Sequence, residues 1–257
     1  MNQHDHTVHP SDHSLREMHS PAAIHRRLTA GPQHSYLKDF IYGAIDGAVT
    51  TFAVVSGVAG AGLSSGVIVV LGIANLVGDG FSMAASNFLG TRAEQQHRDR
   101  LRRIEEEHID RYPDGEREEI RQIMQSQGFA NGDLERAVEI ITSDRRQWIQ
   151  TMLREEHGVP PAGPVAWRAA AATFVAFLIV GSLPLVPFVA RLLLGLELSA
   201  PYLWSTLLTG TAFFAVGAAK SRFVDQAWHW SGLETLAVGS GAAALAYVCG
   251  VLLQSVV

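Results

Sequence analysis

Cysteine is nearly absent from this chain: a single residue, Cys249, among 257. That excludes an intramolecular disulfide framework and a Cys-rich zinc site. The first 36 residues lack the apolar core of a secretory signal, so the first hydrophobic segment is expected to act as its own insertion signal. There is no basic face either. The net charge is −5 and sits in a few blocks, which argues against a nucleic-acid partner. No nucleophile–base pair suited to an intramembrane enzyme stands out, since Cys249 lies near the C-terminus and no histidine falls inside the apolar segments defined below. The stretch from Ala169 to Val189 has no charged residue at all, whereas Thr91 to Val159 is dense in Arg and Glu. With 47% hydrophobic residues and a mean hydropathy of +0.13, averages hide this segregation. It fits a membrane protein carrying a soluble insert.

Five apolar segments are present, near 38–61, 66–90, 167–190, 200–220 and 232–256. Each is long enough to cross about 30 Å of hydrocarbon as a helix. The expected fold is therefore all-α and polytopic: five transmembrane helices with a cytoplasmic three-helix metal-binding insert. Four regions follow from it: a His-rich tail over 1–36, spans one and two over 37–90, the insert over 91–160, and spans three to five over 161–257. Only a Gly/Ser turn around Gly62–Gly66 separates the first two spans, which predicts a helical hairpin. Pro184 and Pro187 predict a kink or early exit in the third. Trp204, Trp228 and Trp230 sit near span ends, as interfacial aromatics do.

Basic residues set the orientation. Arg16, Arg26 and Arg27 precede the first span, the insert is Arg-rich, and Lys220 and Arg222 follow the fourth span. The opposite side carries only Arg191. The N-terminus and insert are expected in the cytoplasm and the C-terminus outside, in a bacterial plasma membrane. The tail, expected to lack regular structure, holds seven histidines: His4, His6, His9, His13, His19, His25 and His34. They make either a solvated tail or a weak metal trap, since imidazole suits iron, nickel, copper and zinc.

Three helices are expected in the insert: a continuation of span two to about Asp110, a second over about 114–127 stopped by Gly128, and a third from about 133 to Gly158. Ile120, Ile123 and Met124 have helical spacing, as do Ala137, Ile140 and Ile141.

The chemistry begins inside the membrane. Asp46 lies in the first span and Asp79 in the second. Each costs at least about 2.5–3.5 kcal/mol at mid-membrane unless it has a partner or a watery path. No Lys or Arg in these spans stands near enough to neutralise them. A helix–helix hydrogen bond or interfacial placement is one reading; a cation or proton site is the other. Asn75 and Met83, eight residues apart, lie near one face of the second span. Carboxylate, amide oxygen and thioether together suit Fe2+ or Mn2+ better than Ca2+ or Mg2+. Glycines in these spans (Gly43, Gly47, Gly57, Gly72, Gly78, Gly80) allow close helix approach, within one chain or between two.

In the insert, Glu105 and His108 are three residues apart, as are Glu116 and Glu119. A turn at Pro113 would fold the pairs together. Met152, Glu155 and Glu156 offer further ligands. The competing reading is a solvated, salt-bridged face. Glu94-x-x-His97 and Glu105-x-x-His108 do not make a ferritin-like di-iron site, because they share one helix about 16 Å apart.

Two stretches carry a resemblance. Asp39-Phe40-Ile41-Tyr42-Gly43-Ala44-Ile45-Asp46-Gly47, followed by Thr50 to Gly57, resembles the first-span signature of the vacuolar iron transporter family. Asn75-Leu76-Val77-Gly78-Asp79-Gly80-Phe81-Ser82-Met83-Ala84 resembles its second-span signature. The resemblance covers about 37–257. It implies a homodimer with a path between the first and second spans of two copies, and export of Fe2+, often Mn2+, in exchange for protons. Asp46 matches the family's first-span carboxylate and Met83 its second-span methionine. Asn75 stands where members can carry glutamate. Glu105, Glu116, Glu119 and Glu156 match metal-binding glutamates and Met152 a methionine. His108 replaces a glutamate and can still ligate; Leu153 and Val159 replace ligands and cannot. The expected function is thus a proton-coupled exporter of Fe2+, with divalent metal ions, protons and the lipid bilayer as its partners. The alternative is a membrane-anchored iron sensor or storage scaffold in which Asp46 and Met83 are dispensable.

Overall fold

The computed structural model describes residues 12–30, 35–160, 162–195, 199–224 and 226–256. Residues 1–35 form one unit and 36–257 another. In the first unit, α1 (Asp12–Met18) and α2 (Pro21–Ala30) are short helices. The expectation of a tail without regular structure does not hold over these residues. His4, His6, His9 and His34 lie outside the described residues.

The second unit is helical throughout its described elements. They are α3 (Leu37–Gly60), α4 (Ser65–Arg111), α5 (Pro113–Ser126), α6 (Asn131–Ser143), α7 (Arg145–Glu155), α8 (Ala166–Gly181), α9 (Val186–Leu194), α10 (Pro201–Lys220) and α11 (Trp228–Leu253). Five stretches are long and apolar enough to cross a membrane: Leu37–Gly60, the first part of Ser65–Arg111, Ala166–Leu193, Pro201–Lys220 and Trp228–Leu253. They match the five expected spans. The third is interrupted as its prolines require: α8 stops at Gly181, a 3-10 turn runs Leu183–Leu185, and α9 resumes. The fifth starts four residues before its expected position, so His229 falls in its first turn.

Helix α3 is the centre of the bundle, in contact with α4, α8, α10 and α11. Its glycines make this possible. A methyl group at Gly43 would sit 2.2 Å from the Thr173 carbonyl oxygen on α8, and one at Gly60 would sit 2.3 Å from the Tyr247 carbonyl oxygen on α11. Backbone faces backbone at both places, so neither side can yield. Gly43→Ala is expected to push α3 and α8 apart and destabilise the fold by about 1–3 kcal/mol, as overpacking does. Thermal unfolding in detergent would read this out. Gly78→Ala serves as the control, because nothing lies within 4 Å of the added carbon.

Helix α4 runs 47 residues without a break, about 70 Å. Its first half is apolar apart from Asp79; dense charge begins at Arg92. Asn87 fastens it to its neighbours, donating to Asp39 Oδ1 on α3 at 2.8 Å and to Thr173 Oγ1 on α8 at 2.7 Å. The helix ends where Pro113 forces the preceding residue, Tyr112, out of helical conformation (φ −143°, ψ 60°). Pro113 then opens α5, where its missing N–H does no harm. As expected, α5 stops ahead of Gly128, which adopts the left-handed φ of +97°.

The third expected insert helix is two. Asp144 is extended and its side chain accepts from Arg146 N at 2.8 Å, ending α6 and capping α7. Ile109, Ile120, Met124, Val138, Ile141, Trp148 and Met152 build the insert's own core. Ile123 and Ala137 pack at its edge, while Ile140 is exposed.

Candidate metal sites

The insert gathers carboxylates and imidazoles from three helices. Glu105 and His108 project from the same face of α4. The turn at Tyr112–Pro113 folds α5 back, bringing Glu116 Oε1 to 3.2 Å from His108 Nδ1. The end of α7 arrives from the other side, with His157 Nε2 at 2.7 Å from Glu105 Oε1 and 3.9 Å from Glu156 Oε2. Two triads result: Glu105, His108 and Glu116; and Glu105, Glu156 and His157. Within each, one ligand atom per residue lies within 4.8 Å of the others. Glu105 belongs to both.

Burial makes these groups unusual. Glu105 is 2% exposed and Glu116 4%, yet Oε2 of each is buried without a hydrogen-bond partner. An unmet buried acceptor of this kind costs about 1–3 kcal/mol, more if charged. A divalent cation held by these carboxylates would offset that cost. Glu119 sits at the edge: it is exposed, but its charge acts on Glu116 and Glu156. Met152 is fully buried in the insert core, one turn before Glu156. Glu155 turns away, held by Arg154 at 2.6 Å and Gln127 at 3.0 Å. His157 was not among the residues singled out from sequence. It lies two residues beyond the end of α7, where periodicity gives no direction; its only signal was an imidazole directly after two acids.

Burial, reinforced by the nearby carboxylates of Glu119 and Glu105, pushes the Glu116 carboxyl up to about 7. Burial, then the Glu105 charge, also raises Glu156. Two consequences of opposite sign follow. The metal-free fold holds a proton on Glu116 that the unfolded chain releases near 4.5, so its stability falls as pH rises from about 4.5 to 7. A metal ion taken up by Glu116 would have to displace that proton, so its affinity is expected to rise with pH by about tenfold per unit below 7 and to flatten above. Mn2+ titrations between pH 5.5 and 8, beside thermal melts of metal-free protein, would test both slopes.

A second group of polar residues lies in the membrane helices. Asp46 is half-buried on α3. Asn75, Asp79 and Met83 follow one another at four-residue steps along α4, making one stripe. Asn75 and Met83 are half-buried and Asp79 exposed, and Asn75 Nδ2 is buried without a partner. Asp46 and Asp79 are close enough for their charges to interact. The stripe borders an uncovered apolar face of α4 that includes Val70, Ile73, Val77 and Phe81.

Five helices long and apolar enough to cross a membrane, an aspartate within each of the first two and a buried carboxylate–imidazole cluster in the insert define an integral membrane protein built to handle cations. A family profile narrows this class: residues 37–251 match the VIT family, and the chain belongs to it. It is 30% identical over 251 residues to a vacuolar iron transporter of Toxoplasma gondii, covering 95% of this chain and 83% of that one. It is 27% identical over 249 residues to vacuolar iron transporter 1 of Arabidopsis thaliana, covering 96% and 95%. A vacuolar iron transporter of Centaurea cyanus is 29% identical over 212 residues, covering 82% and 85%.

Proposed function

We propose that this protein transports Fe2+, and Mn2+ with it, out of the cytosol in exchange for protons. The observation that carries this reading is the placement of both donor groups on one helix. Asn75, Asp79 and Met83 line the membrane part of α4, and Glu105 and His108 its extension. The names of the relatives support iron as the substrate. The insert, facing the cytosol, collects ions through its two triads. Asp46 and Met83 then hold a partly dehydrated ion in the membrane, where carboxylate and thioether suit a borderline metal. Asp46 is the proton-coupling group, because a bare carboxylate in low dielectric must carry either a proton or a cation. Two copies pair through the uncovered apolar face of α4, placing their Asn75–Asp79–Met83 stripes opposite one another.

The test is Fe2+ uptake by proteoliposomes with Fe2+ kept reduced and internal pH recorded. Saturable entry with opposing proton movement supports the exchanger. Metal binding to the insert without flux would refute it and leave a membrane-anchored scaffold.

A further inference from the structure

On the face of the insert formed by α4 and α7 lies a cleft of about 270 Å3 that belongs to neither metal triad. Arg98 and Arg102, one turn apart on α4, form one wall. Arg146 and Gln150, one turn apart on α7, form the other. Ile149 and Leu153 make an apolar floor, and Asp99 is the one acid in the lining among the described residues. Three guanidinium groups thus face a single carboxylate.

Arg111, Arg121, Arg136 and Arg145 are each held by a carboxylate. Arg102 is shared with Glu106 at 2.9 Å. Among the described residues, Arg98 and Arg146 have no acidic partner, and Arg98 Nε is buried without a hydrogen bond. Arg92, Arg100 and Arg103 on α4 also lack an acidic partner among the described residues, but they are exposed, whereas Arg98 is half-buried. The linker before α8 lies against the Arg98 guanidinium: a methyl group on Gly163 would sit 2.2 Å from Nη2. Gln95 Nε2 helps hold the linker there, donating to the Pro164 carbonyl at 2.6 Å.

We propose that this cleft binds a phosphate-bearing anion, either inorganic phosphate or an exposed phosphate monoester. Guanidinium forks match phosphate oxygens in pairs, and two of the three here lack any other anion. The apolar floor takes the carbon skeleton of an ester. Arg98 lies eight residues beyond Gly90, about 12 Å along the helix, so the ligand can come from solution or from an extended lipid headgroup. The proposal does not depend on transport.

The experiment uses the full chain in phosphatidylcholine nanodiscs. One arm measures binding of radiolabelled inorganic phosphate by equilibrium dialysis. The other adds phosphatidylinositol 4-phosphate and measures retained lipid by native mass spectrometry. Saturable binding in the first arm identifies a soluble anion, and in the second a headgroup; either supports the proposal. Arg98→Gln with Arg146→Gln is expected to weaken that binding at least tenfold. Gly163→Ala, which displaces the Arg98 guanidinium without removing charge, is expected to weaken it too. Mn2+ binding to the insert, measured separately, should stay unchanged and so report a folded insert. No binding in either arm, or equal binding by the wild type and the double variant, would overturn the proposal. Undiminished binding by Gly163→Ala would overturn the role of Arg98 in it.

Discussion

Asp46→Ala is expected to reduce Fe2+ flux into proteoliposomes by about 100-fold or more, while metal binding by the insert stays intact. The size follows from removing a charged ligand outright, since losing even the groups that orient metal ligands costs about 10–100-fold. Asp46 is half-buried on α3 and its charge interacts with that of Asp79 on α4. Removing it takes away the carboxylate that both a proton and a metal would occupy. The fold should tolerate the change, because the α3 contacts that set helix spacing run through Gly43 and Gly60, not through Asp46. Asp46→Asn is the sharper variant. It keeps the shape and loses the charge, so residual metal entry without proton movement would assign the two roles separately. Full transport by Asp46→Ala would remove this residue from the path.

Glu105→Ala is expected to lower the metal affinity of the insert by about 100-fold or more, against about tenfold for His157→Ala. The difference rests on geometry. Glu105 belongs to both triads, whereas His157 belongs to one. Removing Glu105 also strips His157 of its 2.7 Å partner. Glu105→Gln separates charge from shape: it fills the same buried space and offers one neutral oxygen. Competition with a chromogenic chelator, under anaerobic conditions for Fe2+, would rank the three variants. Equal losses for Glu105→Ala and His157→Ala would mean that only the triad they share binds.

The sequence revealed the membrane architecture well because bilayer spanning needs long apolar runs, and composition alone reports those. Span ends came within a few residues except at α11, where Trp228, His229 and Trp230 form a helical turn that is not apolar. In the insert, Glu105, His108 and Glu116 were legible through three-residue spacing and the turn at Pro113, and Glu156 through its place at the end of the third expected helix and the family resemblance. His157 was not, because its approach to Glu105 is a contact between residues 52 positions apart. The break at Asp144 was missed for a different reason. An aspartate inside a polar run reads as one more surface acid until its side chain is seen capping α7. The pairing of Arg98 with Arg146 across two helices is likewise tertiary, and nothing local announces it. Leu153, notable in sequence only as a position without a ligand, lines the floor of that cleft.

The unbroken length of α4 has a mechanical consequence. From Gly90 to Arg111 the helix extends about 32 Å beyond its apolar half. A stiff lever of that length turns a tilt of about 5° in the bilayer into a swing of about 3 Å at its tip. His108 lies near that tip, whereas Glu116 is carried on α5 and His157 on the segment just after α7. A swing of that size is comparable to a metal–ligand bond, so leaning α4 one way would tighten the triads and leaning it the other would pull them open. The same rod that passes Asp79 would then set the grip on an ion about 39 Å away at Glu105.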